Sequence, residues 1–383
     1  MRIAFYAPMK PPDHPLPSGD RRMARALFSL LRELGHEPFL ACRLRSWDGR
    51  GDPLRQRRIA RIAARMAERL LRRWGSGEGP RPGLWFTYHL YHKAPDHLGP
   101  RIARALRIPY VVAEASLAPR AALGPWALGH RAARAALHEA DAVLLLTGRD
   151  REALLSELGP AAPLFDLPPF LSSLPPPPDR RPEQRAALAR RFGLRRQALW
   201  LLTVAMMRPG AKLRSYGFLA QALAPLAGLD WQLLVVGDGP ARSRVEEMFA
   251  RFAPRVRLAG RLEGPELEAA YAACDLFLWP GFEEAYGMVY LEAQAAGLPV
   301  IALRTHGVPE VVVQGEGGIL VSRPDPGAYA AAVARLAADG AARADLAARG
   351  RRQVELRHGP GSARAALERA LARACAAKVE ARA

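Results

Sequence analysis

Residues 279–310 read WPGFEEAYGMVYLEAQAAGLPVIALRTHGVPE, and the fold is legible from them outward. An apolar run, Leu276 to Trp279, precedes the stretch and has the composition of a buried strand. Pro280-Gly281 makes a turn, and two acids follow, Glu283 and Glu284. From Ala285 the apolar spacing turns helical, with Tyr286, Val289, Tyr290, Ala293 and Ala296 at three- and four-residue steps. Gly297-Leu298-Pro299 stops that helix, and Val300 to Leu303 opens a second strand. Strand, acidic loop, helix, strand is one parallel α/β unit.

The chemistry of this unit suits a phosphorylated, hydroxyl-rich ligand. A helix N-terminus offers N–H groups and partial positive charge, and Gly287 lets an anion approach the backbone. If the helix starts as early as Glu284, Glu292 sits about 80° from it around the axis, so both carboxylates can face one cleft at different depths. The plainer reading is an acidic first turn and a solvated glutamate. The surrounding residues decide between them. Glu284, Tyr286-Gly287, Glu292, Ala296 to Ile301 and Gly307 to Glu310 together resemble the signature of retaining glycosyltransferases of the family 4, or glycosyl transferases group 1, type. The resemblance runs through most of the C-terminal half and, more weakly, the N-terminal half. It implies the GT-B architecture: two Rossmann-like α/β domains facing a central cleft, with a C-terminal helix crossing back to the first domain.

A length of 383 residues fits two domains, and a hydrophobic content of 50% fits packed cores. No apolar run is long enough to span a membrane. The opening MRIAFYAPMK reads as a first strand and carries no signal-peptide pattern. Cys42, Cys274 and Cys375 lie far apart without metal-ligand spacing, which suits a reducing cytoplasm. The net charge is +19, about +13 of it in residues 1–190. Such a field attracts nucleotides, anionic lipid or nucleic acid. A specific nucleic-acid role has no aromatic–basic interleaving or helix-turn-helix pattern behind it.

In the N-terminal half, Arg2 to Ala7 is a strand, a proline-rich loop runs from Pro8 to Pro17, and Arg22 to Leu34 is helical. Three fingerprint glycines are missing here, which argues against a nicotinamide enzyme. The resemblance assigns Gly19 to the donor's phosphate or sugar. Residues 54–73 form a basic amphipathic helix, with Arg58, Arg61, Arg65, Arg69 and Arg72 on one face and Ile59, Ile62, Ala63, Met66 and Leu70 beside them. It is either a helix for the inner face of an anionic membrane or a surface helix packed on its own sheet. Leu84 to Thr87 and Pro109 to Ala113 read as strands. Where the family often has a histidine after the second, this chain has Glu114-Ala115-Ser116, and His89 is the candidate to fill a related catalytic role. The proline-dense segment 168–182 marks the boundary, with domains at 1–170 and 183–360, a linker at 171–182 and a final helix at 361–383.

In the second half, a strand from Trp200 to Ala205 precedes Arg208 and Lys212. The resemblance places these two cations on a diphosphate leaving group, whose growing charge they stabilise without a metal or other cofactor. It also implies that Glu284 contacts the donor sugar and Glu292 the ribose. The backbone of Gly287 and Met288 would meet the diphosphate, with Tyr286 alongside. Gly237 and Gly239 lie beside the nucleotide, and Arg261 and Leu262 beside the base. The expected partners are a nucleotide-sugar donor and a glycan or lipid-linked acceptor. The rival readings are a non-catalytic nucleotide-sugar or polyanion binder, and a sugar synthase or phosphorylase on the same fold.

Overall fold

The computed structural model describes residues 1–16, 18–176 and 181–380. Pro17, the 177–180 part of the expected linker and the 381–383 end of the expected last helix lie outside the described residues. The chain divides into two compact units, residues 1–172 with 360–383, and residues 173–359.

The first unit contains β1 (Arg2–Tyr6), α1 (Gly19–Glu33), β2 (Glu37–Leu40), α2 (Pro53–Gly75), β3 (Leu84–Leu90) and α3 (Gly99–Leu106). It continues with β4 (Tyr110–Ala115), α4 (Ala127–His138), β5 (Ala142–Leu145), α5 (Arg151–Leu158) and β6 (Leu164–Asp166). All its strand pairs are parallel, in the order β2-β1-β3-β4-β5-β6. β3 and β4 are apolar on both faces because helices cover both, the usual condition of a parallel sheet.

Local chemistry sets the helix starts. The Ser18 hydroxyl accepts the Arg21 N–H at 3.2 Å and caps α1, which therefore begins at Gly19, earlier than the apolar spacing alone indicates. Asp52 accepts from Leu54 and Arg55 and, with Pro53 next, starts α2. Buried Asp96 caps α3 through Leu98 and Gly99, both at 2.8 Å, and also accepts the Thr87 hydroxyl at 2.6 Å and the Tyr110 hydroxyl at 3.0 Å. A carboxylate this well supplied with donors can stay in the core.

The second unit contains α6 (Arg181–Phe192), β7 (Leu199–Val204), α7 (Ala211–Leu223), β8 (Trp231–Val236), α8 (Arg242–Phe249), β9 (Val256–Gly260) and α9 (Gly264–Ala273). There follow β10 (Leu276–Leu278), α10 (Met288–Ala295), β11 (Val300–Leu303), α11 (Val308–Val311), β12 (Gly318–Val321), α12 (Pro326–Ala338) and α13 (Gly340–Arg357). The parallel order is β12-β11-β10-β7-β8-β9. Counted from β7, that is the 3-2-1-4-5-6 order of a Rossmann sheet. The last helix, α14 (Pro360–Glu380), packs on β4, β5 and β6 of the first unit, and Lys378 reaches Asp141 at 3.0 Å.

Two expectations are corrected. The helix expected from Ala285 begins at Met288, because Gly287 takes φ +79° and breaks the helical path. Glu284 therefore stands in a loop, and the angular relation to Glu292 on one helix does not apply. On α2, Ile59, Ala63, Ala67, Leu70 and Trp74 are buried in the first unit. The apolar face proposed for a membrane is thus used by the core, and Ile62 is its exposed exception.

Candidate functional site

In open parallel sheets, ligands bind beyond the carboxyl ends of the strands, where the strand order reverses. In the second unit that point lies between β7 and β10. The Thr203 hydroxyl donates to the Leu278 carbonyl at 2.6 Å and ties the two strands together just below it.

The loop after β7 carries Arg208, and the first turn of α7 carries Lys212. The loop after β10 carries Glu284. The Lys212 ammonium forms an ion pair with Glu284 and lies 5.3 Å above the Trp279 ring. The Trp279 indole N–H donates to the same carboxylate at 2.9 Å. Glu284 thus has a fixed position although it sits in a loop. The loop itself is pinned to α7, since the Ser215 hydroxyl accepts the Phe282 N–H at 3.1 Å.

Tyr290 shapes the floor. Its hydroxyl donates to the Trp279 carbonyl at 3.1 Å. A Cβ added to Gly281 would lie 2.0 Å from that hydroxyl, and one added to Gly287 would lie 2.6 Å from the ring. Both glycines have positive φ, so backbone conformation and space each demand them. Gly287 caps α10, which leaves Met288 in its first turn, where N–H groups have no partner within the helix. Tyr286 is buried beside it. Glu292 follows one turn into α10, and its carboxylate accepts the Tyr271 hydroxyl at 2.8 Å.

Gly237 and Gly239 allow two loops to approach closely. Their added Cβ atoms would lie 1.9 Å from the Ala205 carbonyl and 2.4 Å from that of Met207. Met207 N–H donates to Asp238 at 2.9 Å, and Ala241 N–H donates to Met207 at 2.9 Å. The two glycines let the β8 loop clasp the loop that presents Arg208. Arg261 is exposed and bonds Glu263 of its own loop, while Leu262 is buried.

Gly19 and His89 belong to the first unit, again at the point where strand order reverses, here β1 against β3. Space beside Gly19 is open, with nothing within 4 Å of an added Cβ. His89, next to last in β3, has φ +63°, and Glu114, next to last in β4, has φ +58°, both rare for residues with side chains. His89 Nδ1 lies 3.1 Å from Asp20 and 3.9 Å from Glu114. Burial lowers the His89 pKa, but Glu114 and Asp20 outweigh it and hold the imidazole at about 9. Burial raises Glu114 despite the nearby imidazole, and it raises Asp150 against a hydrogen bond from Ser116. The Asp20 pKa is lowered: burial works against this, and the His89 bond prevails.

The structure thus joins Lys212 with Glu284 directly and builds Arg208, Gly287, Met288 and Glu292 into neighbouring elements of the same unit. Trp279, Tyr271 and Tyr290 were not singled out in the sequence, though Trp279 stands at the strand end where a ligand-facing residue is expected. Asp20, Glu114 and Asp150 carry no local pattern that would mark them as one cluster.

Residues 199–339 match the family model described as glycosyl transferases group 1. The match places residues 199–339 in that family, and the chain as a whole has the GT-B fold. The chain is 34% identical over 214 residues to a GDP-mannose-dependent α-(1-6)-phosphatidylinositol monomannoside mannosyltransferase of Mycolicibacterium smegmatis, covering 53% of this chain and 54% of that one. It is 30% identical over 289 residues to a D-inositol 3-phosphate glycosyltransferase of Streptomyces bingchenggensis, covering 69% and 62%. The match therefore spans about half to three-fifths of those relatives' lengths. Among solved structures, Anabaena HepE in complex with UDP-glucose superposes with a TM-score of 0.69 at 17% identity, covering 97% of this chain and 99% of that one. None of the described helices is long and apolar enough to cross a membrane.

Proposed function

We propose that the chain transfers a hexose from a nucleoside diphosphate sugar to an acceptor hydroxyl, with retention of configuration and without a metal. The observation that carries this reading is the constellation at the β7/β10 reversal: Lys212 and Trp279 converge on Glu284, with Arg208 on the neighbouring loop and the α10 N-terminus next in the chain.

In the reaction, the bond between the anomeric carbon and the diphosphate oxygen breaks, and the diphosphate gains charge. Arg208, Lys212 and the N–H groups of Gly287 and Met288 stabilise that charge as it grows. Lys212 exchanges part of its bond to Glu284 for the phosphate, which frees Glu284 to accept a sugar hydroxyl. Glu292, oriented by Tyr271, holds the ribose hydroxyls. The acceptor oxygen bonds the anomeric carbon on the face the diphosphate leaves, and its proton passes to the departing phosphate oxygen. Arg261 and Leu262 complete the donor contacts of the second unit. His89 positions the acceptor through its charged, acid-flanked ring. The acceptor is a glycan or lipid-linked sugar in cell-surface glycan synthesis, and the enzyme acts in the cytoplasm. A guanosine or uridine donor is favoured by what the relatives named above use or bind.

The test is a panel of nucleotide sugars read by thermal shift, followed by release of free nucleoside diphosphate with the best binder. One donor should stabilise the chain selectively, and Glu292→Ala should abolish that shift. Equal shifts in wild type and in both Glu292→Ala and Arg208→Ala would refute the site. Donor binding without diphosphate release across acceptors would favour the non-catalytic reading.

A further inference from the structure

The first unit holds a second basic feature, separate from the sites above. A cavity of about 140 Å³ opens between the segment 46–48, the first turns of α2, the segment 92–97 and the start of α4. That is roughly ten times the about 15 Å³ needed to admit one water. Gly129 makes the shape possible: an added Cβ there would lie 2.1 Å from the His92 carbonyl.

The charges around it are unbalanced. Arg57 and Lys93 line the cavity, and among the described residues neither has a carboxylate within ion-pair distance. Lys93 instead lies 4.6 Å over the Trp126 ring, which holds its stem in place. His92 Nδ1 is buried without a hydrogen-bond partner, and so is His130 Nε2 on the adjoining turn of α4. Buried polar atoms are normally satisfied, so each orphan asks for a partner. Asp48 is the acid of the cavity wall, and both its oxygens are occupied by Arg50 N–H, Asp52 N–H and the Gln56 amide. The Gln56 amide oxygen is likewise taken by Gly129 N–H at 3.1 Å. Burial, then Lys93 and His130, hold His92 below its ordinary pKa, as a cluster of like charges would.

We infer that this cavity binds a phosphate group. Arg57 supplies a forked donor, Lys93 a point charge and His92 a ring nitrogen, from two different elements. The oxygens of a phosphate would satisfy all three at once. The rest of α2 adds long-range attraction, with seven further arginines against the single acid Glu68. The rim is also apolar in places. Trp47 is 40% exposed and Leu54 71% exposed. Leu123, 96% exposed, is on the loop whose Pro125 and Trp126 contact the 48–51 segment. A basic pocket with such a fringe suits the headgroup of an anionic lipid, and the pocket chemistry equally suits a soluble phosphate ester.

The experiment uses the full chain carrying Lys212→Ala, so that phosphate binding at the second unit does not contribute. Inorganic phosphate and glycerol phosphate are titrated calorimetrically, and vesicles of phosphatidylglycerol in phosphatidylcholine are tested by flotation. The pocket pair Arg57→Gln/Lys93→Gln is compared with the outer-face pair Arg65→Gln/Arg69→Gln, which removes the same charge, and thermal melting confirms that both fold. The expected result is at least tenfold weaker binding of one probe class in the pocket pair, with less than a twofold change in the outer-face pair. Tight binding of the soluble esters identifies a free phosphate ligand, and binding of vesicles alone identifies a headgroup. Equal losses in the two pairs, or no binding of any probe, would overturn the site.

Discussion

The two reversal points, β1/β3 and β7/β10, use one topological device with opposite electrostatics. In the second unit Lys212 pairs with a single acid, Glu284, in the loop that leads into α10, an arrangement that suits the proposed diphosphate. In the first, one imidazole is enclosed by Asp20, Glu114 and Asp150, and the chemistry is that of holding a protonated ring. The backbone differs too. In the second site glycine takes two of three left-handed positions, Gly281 and Gly287 with Glu283 between them at φ +54°, whereas in the first both such positions, His89 and Glu114, carry full side chains. Strain of that sort costs about 1–3 kcal/mol each and persists where the surroundings hold it.

The comparison breaks most easily at the cations. Replacing Lys212 by Ala should lower kcat/KM for sugar transfer about 10²–10³-fold, the usual loss when a donor to developing charge is removed. Steady-state release of nucleoside diphosphate reads this, and an unchanged rate would detach the β7 loop from the chemistry. Next comes donor affinity. Without the Glu292 carboxylate, whose orientation Tyr271 sets, binding should weaken about 10- to 100-fold, which calorimetry with the selected nucleotide sugar measures. Tyr271→Phe should give a smaller loss in the same direction.

Stability sharpens the contrast in backbone. Gly287→Ala forces a Cβ to 2.6 Å from Tyr290 at φ +79° and should destabilise the second unit by about 1–3 kcal/mol in denaturant unfolding. Gly19→Ala, with open space around it, should cost about 1 kcal/mol or less, so any large loss of its activity points to the ligand and not to packing.

The smallest effect is in pH dependence. The folded His89 pKa, about 9, exceeds the ordinary value of 6.5. Its contribution to stability is therefore complete below about pH 6.5 and is lost as pH rises through 9. The stability gap between wild type and His89→Gln should shrink over that interval in urea titrations. A gap that stays constant would show that the acids around His89 do not hold a charged ring.

Sequence alone determined the α/β class and the repeated Rossmann pattern, and it singled out the loops that carry Arg208, Lys212 and Glu284. The physical reason is locality. One strand, one loop and one helix carry Glu284, Gly287 and Glu292 within a single continuous stretch, and parallel topology sets β7, whose loop carries the cations, beside β10. Tertiary structure decided what locality cannot encode. Lys212 pairs with Glu284 across 72 residues, and Asp20 with His89 across 69, because adjacent strands pair irrespective of their separation in the chain. It also decided which face of α2 is buried, since apolar periodicity marks a face and only packing says what covers it.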